Sequence, residues 1–550
     1  MRPTPKPTLS ASDRTRRSTD TLALIAFCGF LFLFGLQIVG LVGADEPRYA
    51  QVAREMLARH DWITPVLYGH PWLEKPPLYY WSAMIAYKGA GGVSDTAARL
   101  PTAVLSSLLI IFIYSWARRI RPGMQLDAAL ITASAAIVIG FGRSASTDMP
   151  LTVMFTVAML SWYAWHSTQT RNWLLAFYFF MALATLAKGP IAVFLAGAII
   201  LIFAALRRDV RLVLGTLWPI GIALYLVVAT PWFIAVQHAN PEFFRTFFLQ
   251  HNLERFSSNL YHHPQPFWFY IPVALAALVP WTVFVVAAVV DAIRDWRFSV
   301  EQPAGKEDFR TYLTVWLLLP IVFFSLSHSK LPGYILPGIP AGTILLADFV
   351  ARREKAAVKP AMWMIVLHAL LSAAMLVAVF LVPYKLLKLA LHRNPIVVAA
   401  SLAVVTILMY VLALQNQGYR VLRFTTLVPV VVAFSLLLRG TAPLITYMQS
   451  ERDVEGSLSQ TEIGRIPDIA VYDVPPGVEY GLGFYRNHVV ANYERNEIPP
   501  GDHIVVAAQG TKKELEYRVP GRKVIPFGNF SLQHLDFYLI AGRTAPQQHP

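Results

Sequence analysis

The segment that decides the fold lies near the start of the chain. It reads "LALIAFCGFLFLFGLQIVGLV" over residues 22–42 and continues as "GADEPRYAQVAREMLARH" over residues 43–60. The first part contains no charged residue and is long enough to cross the roughly 30 Å hydrocarbon core of a bilayer as a helix. It is too long for the apolar core of a secretory signal, and no small-residue cleavage site follows it. We therefore expect it to remain as a membrane anchor.

Comparable apolar runs recur along the 550 residues, of which 55% are hydrophobic and only 15% are charged. We predict thirteen spans, near residues 22–42, 97–117, 127–142, 149–166, 171–187, 189–206, 212–236, 267–290, 311–326, 335–351, 361–383, 395–414 and 422–439. The composition thus predicts a polytopic α-helical membrane protein.

The net charge of +14 could suggest a nucleic-acid partner. However, basic residues concentrate in short connections between apolar runs, namely Arg14, Arg16, Arg17, Arg118, Arg119, Arg121, Arg207, Arg208, Arg211, Arg352, Arg353 and Lys355. Cytoplasmic loops carry such an excess of Lys and Arg, and anionic headgroups attract it. The pattern predicts a cytoplasmic N-terminus and no nucleic-acid binding. The single cysteine, Cys28, excludes an intrachain disulfide and a cysteine-based metal site.

The chain divides into three predicted parts. Residues 1–20 are polar and are expected to be a disordered cytoplasmic segment, and residues 21–439 form the transmembrane domain. After residue 440 the runs "DIAVYDV", "HIVVAAQ" and "FYLIAG" predict strands of a small soluble α/β domain over residues 440–550. An odd number of spans places this domain on the periplasmic side.

The longest predicted outer loop, residues 43–96, begins with two acidic residues. Pro47 fits the first turn of a helix starting near Asp45, and we expect this helix to lie at the membrane interface. Asp45 and Glu46 could act only as helix N-terminal acids. Because Asp148 occurs at the corresponding end of another span, also just before a proline, the acids together predict a functional site.

Several ungapped motifs occur in order: "GADEPRYA" (43–50), "LEKPPLYYW" (73–81), "STDMP" (146–150), "LAKGP" (186–190) and "SKLPGYILP" (329–337). With them the chain resembles the bacterial aminoarabinose transferases, integral-membrane glycosyltransferases of the GT-C type related to the protein O-mannosyltransferases. The resemblance implies a GT-C fold. It also implies transfer of 4-amino-4-deoxy-L-arabinose from undecaprenyl phosphate to lipid A phosphates, at the periplasmic face of the inner membrane.

Breaking the bond between sugar and phosphate leaves a phosphate dianion, which cations and hydrogen-bond donors stabilise. Four side chains of that type are expected to bind the donor phosphate: Arg48, Lys75, Lys330 and Tyr334. Further candidates for the donor pocket are Glu46, Tyr79, Tyr80 and Lys188. The alternative is that the lysines extend to lipid headgroups, that Arg48 is a surface residue and that the tyrosines belong to an interfacial aromatic belt.

Asp45 is the expected general base or orienting group, and Asp148 is expected to bind the hydroxyls or the amine of the sugar. A single inverting displacement is implied, because no second carboxylate is required as a covalent nucleophile. The basic outer loop of Lys385, Lys388 and Arg393 departs from the positive-inside rule and is expected to dock acceptor phosphates.

A divalent metal ion, Zn²⁺ or Mg²⁺/Mn²⁺, is a further expectation. Glu74 and His251, with His262 and His263 as alternatives, lie in outer loops and carry the imidazole and carboxylate groups that bind such ions. The spacing of these residues is not diagnostic.

Two other functions stay open at this point. One is a polyprenyl-phosphate-sugar-dependent transferase acting on protein or another glycolipid. The other is a flippase for lipid-linked sugars, since intramembrane charges and broken helices are typical of transporters too. Clustering of the charges at one membrane face favours an enzyme, which we expect to be monomeric.

Overall fold

The structure, a computed structural model, describes residues 11–247, 265–299, 308–387 and 395–542. The helices of the membrane domain are Ala11–Cys28, Asp45–Ala58, Leu78–Gly89, Asp95–Ile120, Gln125–Ala133, Ala136–Gly142, Asp148–Thr168, Arg171–Lys188, Ile191–Arg207, Val210–Thr216, Pro219–Ala239, Tyr270–Ala277, Thr282–Ser299, Asp308–Ser325, Ile339–Lys355, Met362–Leu387, Pro395–Gln417, Leu422–Leu436 and Ala442–Gln449.

Within these ranges, six helices are long and apolar enough to cross a membrane, or up to eight if each of two bent pairs counts as one span. Each of the thirteen predicted segments falls on a helix or a broken helix, but length and composition do not confirm the count. One reason why the count is not confirmed is that sharp bends interrupt two of the segments. The segment 125–142 bends by 65° and the segment 267–296 by 114°. Pro280 lies in the second break, where it removes a backbone donor.

The first predicted span, 22–42, ends earlier than its composition indicates. The helix begins at Ala11, inside the segment expected to be disordered, and passes into a π-helical turn at Gly29–Leu33. Carbonyl groups in and after that turn accept hydrogen bonds from two arginines. Arg143 donates to Leu31, Phe34 and Gly35, and Arg99 donates to Leu36, Val39 and Gly40. The irregular backbone is tolerated next to the helical bundle because the arginine side chains supply the hydrogen bonds that a helix would otherwise provide.

The loop 43–96 contains a helix at the predicted place, Asp45–Ala58, and a second helix, Leu78–Gly89. Both bury apolar side chains in one cluster that includes Tyr49, Tyr79, Tyr80 and Ala145. Two short strands, β1 (Val66–Leu67) and β2 (His70–Pro71), form an antiparallel hairpin between the helices. The loop is therefore a folded layer on one end of the helical bundle.

The C-terminal domain confirms the predicted strands. Its sheet contains β3 (Ile469–Tyr472), β4 (Val490–Asn492), β5 (His503–Ala508), β6 (Lys523–Phe530) and β7 (Leu535–Ala541), in the order β4-β3-β5-β7-β6. The strands β3, β4 and β5 are parallel, whereas β7 pairs antiparallel with β5 and β6. The helices are Arg452–Ser459, Pro476–Arg486 and Lys512–Arg518. Apolar helices continue to Gln449, past the predicted domain boundary at residue 440.

Candidate functional site

Asp45 and Arg48 lie one helical turn apart at the start of the helix Asp45–Ala58, and Arg48 donates a hydrogen bond to the Asp45 carboxylate. The Asp45 side chain is 53% exposed and that of Arg48 16%. Burial lowers the pKa of Arg48, but Tyr49, Asp45, Glu74 and Tyr480 raise it, so the pKa lies above its ordinary value. Arg48 is thus a permanent cation whose counter-charge faces solvent.

Glu46, the neighbour of Asp45, points the other way and is buried. Its carboxylate accepts hydrogen bonds from Arg99 and from the backbone N–H groups of Val42, at 2.9 Å, and Ala145, at 2.7 Å. The ion pair joins the helix Asp45–Ala58 to the helix Asp95–Ile120, and the bond from Ala145 joins it to the loop that precedes Asp148. The contacts of Glu46 are those of a structural anchor, so its assignment to the donor pocket stays a prediction.

Next to Arg48 lies a group of buried polar atoms without partners. The Arg48 Nε, the Trp72 Nε1 and the Tyr80 hydroxyl find no hydrogen-bond partner among the described residues. The pKa of the Tyr80 hydroxyl lies above its ordinary value, chiefly because the group is buried. Arg48 lowers this pKa, whereas Glu74 and Asp45 raise it further. Unpaired buried polar groups are rare in folded proteins. These donors are therefore available to a ligand, whereas the Tyr79 hydroxyl already donates to the Ala98 carbonyl at 2.9 Å.

The segment "LEKPPLYYW" runs beside these groups. Lys75 is buried, and its amine donates to the Glu74 carbonyl at 3.3 Å. Glu74 is among the residues whose charge acts on Arg48. Leu73 belongs to the same buried apolar cluster as Leu186, near the end of the helix Arg171–Lys188. The Glu-Lys pair therefore lies at the same end of the bundle as Arg48 and Lys188.

Asp148 and Lys188 form a second ion pair there, with both side chains largely buried. The Lys188 amine lies 5.1 Å from the centre of the Tyr334 ring. The Gly333 backbone approaches Asp148 so closely that an added Cβ would lie 2.8 Å from Oδ1. The motifs "STDMP", "LAKGP" and "SKLPGYILP" thus converge. Because Lys188 is paired with Asp148, its side chain points into the protein and does not extend to lipid headgroups.

Lys330, in the segment "SKLPGYILP", is also buried. Its amine donates to the carbonyls of Gln265, at 3.0 Å, and Ser327. The adjacent Ser329 hydroxyl is buried and lacks a partner among the described residues. Lys330 therefore has a defined position, and its role in binding phosphate stays a prediction.

The remaining predicted residues are placed only in part. Glu74 is described, whereas His251, His262, His263, Lys388 and Arg393 lie outside the described residues. Lys385 belongs to the helix Met362–Leu387, but its side chain is not described. In the part of the chain that the structure covers, no group of three or more His, Cys, Asp or Glu residues could hold a metal ion.

Two aromatic residues at this site were not predicted. The Arg48 guanidinium carbon lies 5.0 Å from the centre of the Trp72 ring and 5.4 Å from that of Tyr480, which belongs to the C-terminal domain. Trp72 lies directly before the "LEKPP" motif. Gly477 and Gly483 flank Tyr480 at three-residue intervals, a spacing that indicates a closely packed helix face but not a contact with Arg48.

Comparison with known proteins shows which proteins the sequence and the fold resemble. The model of the dolichyl-phosphate-mannose-protein mannosyltransferase family matches residues 19–247. The undecaprenyl phosphate-alpha-4-amino-4-deoxy-L-arabinose arabinosyl transferase of Pseudomonas aeruginosa (strain UCBPP-PA14) is 32% identical over 346 residues, which are 62% of this chain and 61% of the relative. Arabinosyl transferase 1 of Pseudomonas fluorescens is 28% identical over 88% of this chain and 90% of the relative.

Among solved structures, ArnT from Cupriavidus metallidurans bound to undecaprenyl phosphate has a TM-score of 0.75 and 22% identity, covering 96% of this chain and 100% of that one. At this identity the likeness concerns the fold, including the helical bundle and the small C-terminal sheet domain. In sequence, the chain is similar to aminoarabinose transferases, of which it spans about 61% for the Pseudomonas aeruginosa relative and 90% for the Pseudomonas fluorescens relative. Its fold is similar to that of ArnT, an integral-membrane glycosyltransferase of the GT-C type.

Proposed function

We propose that the chain transfers 4-amino-4-deoxy-L-arabinose from undecaprenyl phosphate to the phosphate groups of lipid A. The observation that carries this proposal is the convergence of two carboxylate–cation pairs, Asp45–Arg48 and Asp148–Lys188, at one end of the bundle. Attaching an amino sugar lowers the negative charge of lipid A, so the reaction protects cells against cationic peptides such as polymyxin.

The proposed roles follow from the chemistry of the donor. Arg48, Lys75, Lys330 and Tyr334 stabilise the departing undecaprenyl phosphate, whose charge increases as the sugar leaves. Asp45 orients or deprotonates the acceptor phosphate, and Asp148 binds hydroxyl or amino groups of the sugar. A direct displacement at the anomeric carbon then inverts its configuration. The buried donors of Trp72 and Tyr80 supply further hydrogen bonds to the ligand.

For this reaction we propose a monomeric protein with thirteen spans in the bacterial inner membrane. The site and the C-terminal domain then face the periplasm, where lipid A is reached. Support comes from the basic connections at the opposite end of the bundle. There Arg207 pairs with Asp308, and Arg352 and Arg353 pair with Asp291.

Mass spectrometry of lipid A tests the proposal. Cells that contain the chain are expected to show lipid A carrying added aminoarabinose, and cells without the gene are expected to lack it. Identical lipid A in both cultures, under conditions where the protein is made and the donor is present, would contradict the proposal.

A second candidate is transfer to protein or another glycolipid, which the match to the protein mannosyltransferase family favours. The glycan content of the membrane proteins distinguishes the two. A flippase is separated by a transfer assay with purified protein in detergent, where there are no compartments between which a lipid could move.

The proposed metal ion gives a prediction about donor binding. If a divalent ion held by Glu74 and His251 bridges the donor phosphate, chelation or the combination of Glu74→Gln with His251→Ala should raise the Kd for undecaprenyl phosphate. Mutation of second-sphere residues at metal sites typically costs about 10- to 100-fold in affinity, and loss of two ligands should cost at least as much. Added Zn²⁺, Mn²⁺ or Mg²⁺ should reverse the effect of the chelator only. Unchanged binding of undecaprenyl phosphate in metal-free buffer would contradict the metal-ion prediction. Glu74 would then act only as a counter-charge for its neighbouring cations.

The basic loop gives a prediction about acceptor binding. Lys385 and Lys388 are spaced for one helical face, and with Arg393 they should attract lipid A phosphates by about 1 kcal/mol each. Replacing all three by glutamine should raise the KM for lipid A, leave donor binding unchanged and weaken the salt dependence of the rate. Replacing Lys512, on the C-terminal domain, is the control. If tagging places this loop in the cytoplasm, the thirteen-span topology and the docking role both fail.

A further inference from the structure

The C-terminal domain contributes a side chain to the surroundings of Arg48. Three aromatic rings surround the guanidinium: its carbon lies 5.3 Å from the ring centre of Tyr49, 5.0 Å from that of Trp72 and 5.4 Å from that of Tyr480. All three distances lie within the range of a favourable cation–π interaction, which is strongest where water is excluded. Tyr49 and Trp72 come from the loop 43–96, so Tyr480 completes the enclosure from a separate domain.

The placement of Tyr480 is fixed by close packing of the helix Pro476–Arg486 on the loop 43–96. Gly477 and Gly483 flank Tyr480 on the same helix face. A Cβ at Gly477 would lie 3.2 Å from the Gly43 carbonyl carbon, and one at Gly483 would lie 2.0 Å from the Tyr68 hydroxyl. The two glycines therefore allow the helix to approach, and the approach brings the ring between them onto Arg48.

Polar contacts hold the same helix in place. Arg54, two turns beyond Arg48, donates to the Phe484 carbonyl at 2.8 Å and to the Asn487 side chain at 3.0 Å. The Tyr485 hydroxyl donates to Asp95 at 3.0 Å and accepts from the Leu41 backbone N–H at 2.6 Å. These bonds tie the C-terminal domain to the helix Asp45–Ala58, to the segment before it and to the start of the helix Asp95–Ile120.

We propose that Tyr480 is a positioning residue of the donor site: its ring holds the Arg48 guanidinium against Asp45 and beside the phosphate of the lipid-linked donor. This inference rests on the proposed function. Without the ring, the guanidinium loses one wall of its enclosure and can rotate away from Asp45. The C-terminal domain is then a required part of the donor site.

Binding of undecaprenyl phosphate to the full-length protein in detergent tests the inference. Tyr480→Leu is expected to raise the Kd, and the KM for the sugar donor, by about 3- to 30-fold, in keeping with the loss of one cation–π contact. Tyr480→Phe keeps the ring and loses only the interaction of its hydroxyl with Arg48, so both constants should return to within about 3-fold of the wild-type values. Tyr517→Leu, at an 89% exposed tyrosine of the same domain, is the matched control and should change neither.

A double-mutant cycle separates positioning from general loosening of the domain. On an Arg48→Gln background, Tyr480→Leu should have almost no further effect on the Kd, because the cation that the ring contacts is gone. An equal effect on both backgrounds, or an unchanged Kd for Tyr480→Leu, overturns the inference. Failure of the proposed function would instead appear as a wild-type protein that binds undecaprenyl phosphate but does not transfer the sugar to lipid A. A wild-type protein that binds no undecaprenyl phosphate overturns both.

Discussion

Replacing Asp45 by asparagine is expected to reduce sugar transfer by about 10²- to 10⁴-fold, the usual contribution of a positioned acid or base. The substitution removes the charge at nearly constant volume. Because the carboxylate is 53% exposed and bonded within the described residues only to Arg48, folding should be retained. Steady-state kinetics with purified protein measure the transfer rate. The Kd for undecaprenyl phosphate measures donor binding, and the melting temperature measures stability.

A matched control for this variant is Asp473→Asn. Asp473 is an exposed acid of the C-terminal domain in the left-handed conformation, with φ +52°, which asparagine also adopts readily. Its transfer rate should equal that of the wild type. If Asp45→Asn retained more than about a tenth of the wild-type rate, a role as general base or orienting group would be excluded.

The general architecture follows from the sequence because it depends on local patterns. Uncharged runs long enough to cross a bilayer become helices, and short continuous apolar runs such as "HIVVAAQ" become buried strands. The early end of the first helix could not be predicted in this way. It depends on Arg99 and Arg143, which are remote in sequence and satisfy the carbonyls between Leu31 and Gly40.

The candidate residues of the site came from local patterns too, but the contacts between them did not. Charged residues at the ends of apolar runs indicated Asp45, Asp148 and Lys188, but the sequence could not show that Asp148 and Lys188 form a pair. Tyr480 contacts Arg48 across most of the chain, and a long-range contact of this kind depends on how the domains pack. No local pattern specifies it.

The adjacent acids show why residue type alone does not assign a role. Consecutive residues on an α-helix point about 100° apart, because each turn contains 3.6 residues. Asp45 therefore faces the exposed site while Glu46 faces the interior. There Glu46 bonds to Arg99 and to the backbone N–H groups of Val42 and Ala145. The second large effect predicted for this protein follows from that difference.

Replacing Glu46 by glutamine should destabilise the protein by about 3–5 kcal/mol, since it leaves the Arg99 charge buried without its counter-charge. Arg99 is only 4% exposed, so water cannot compensate. Thermal melting in detergent, and the amount of monodisperse protein recovered from membranes, should both fall sharply. Asp45→Asn, one residue away, should leave both near the wild-type values, so the pair of variants separates stability from catalysis. A Glu46→Gln variant with normal melting but impaired donor binding would instead place Glu46 in the donor pocket, because only a ligand contact would then account for the loss.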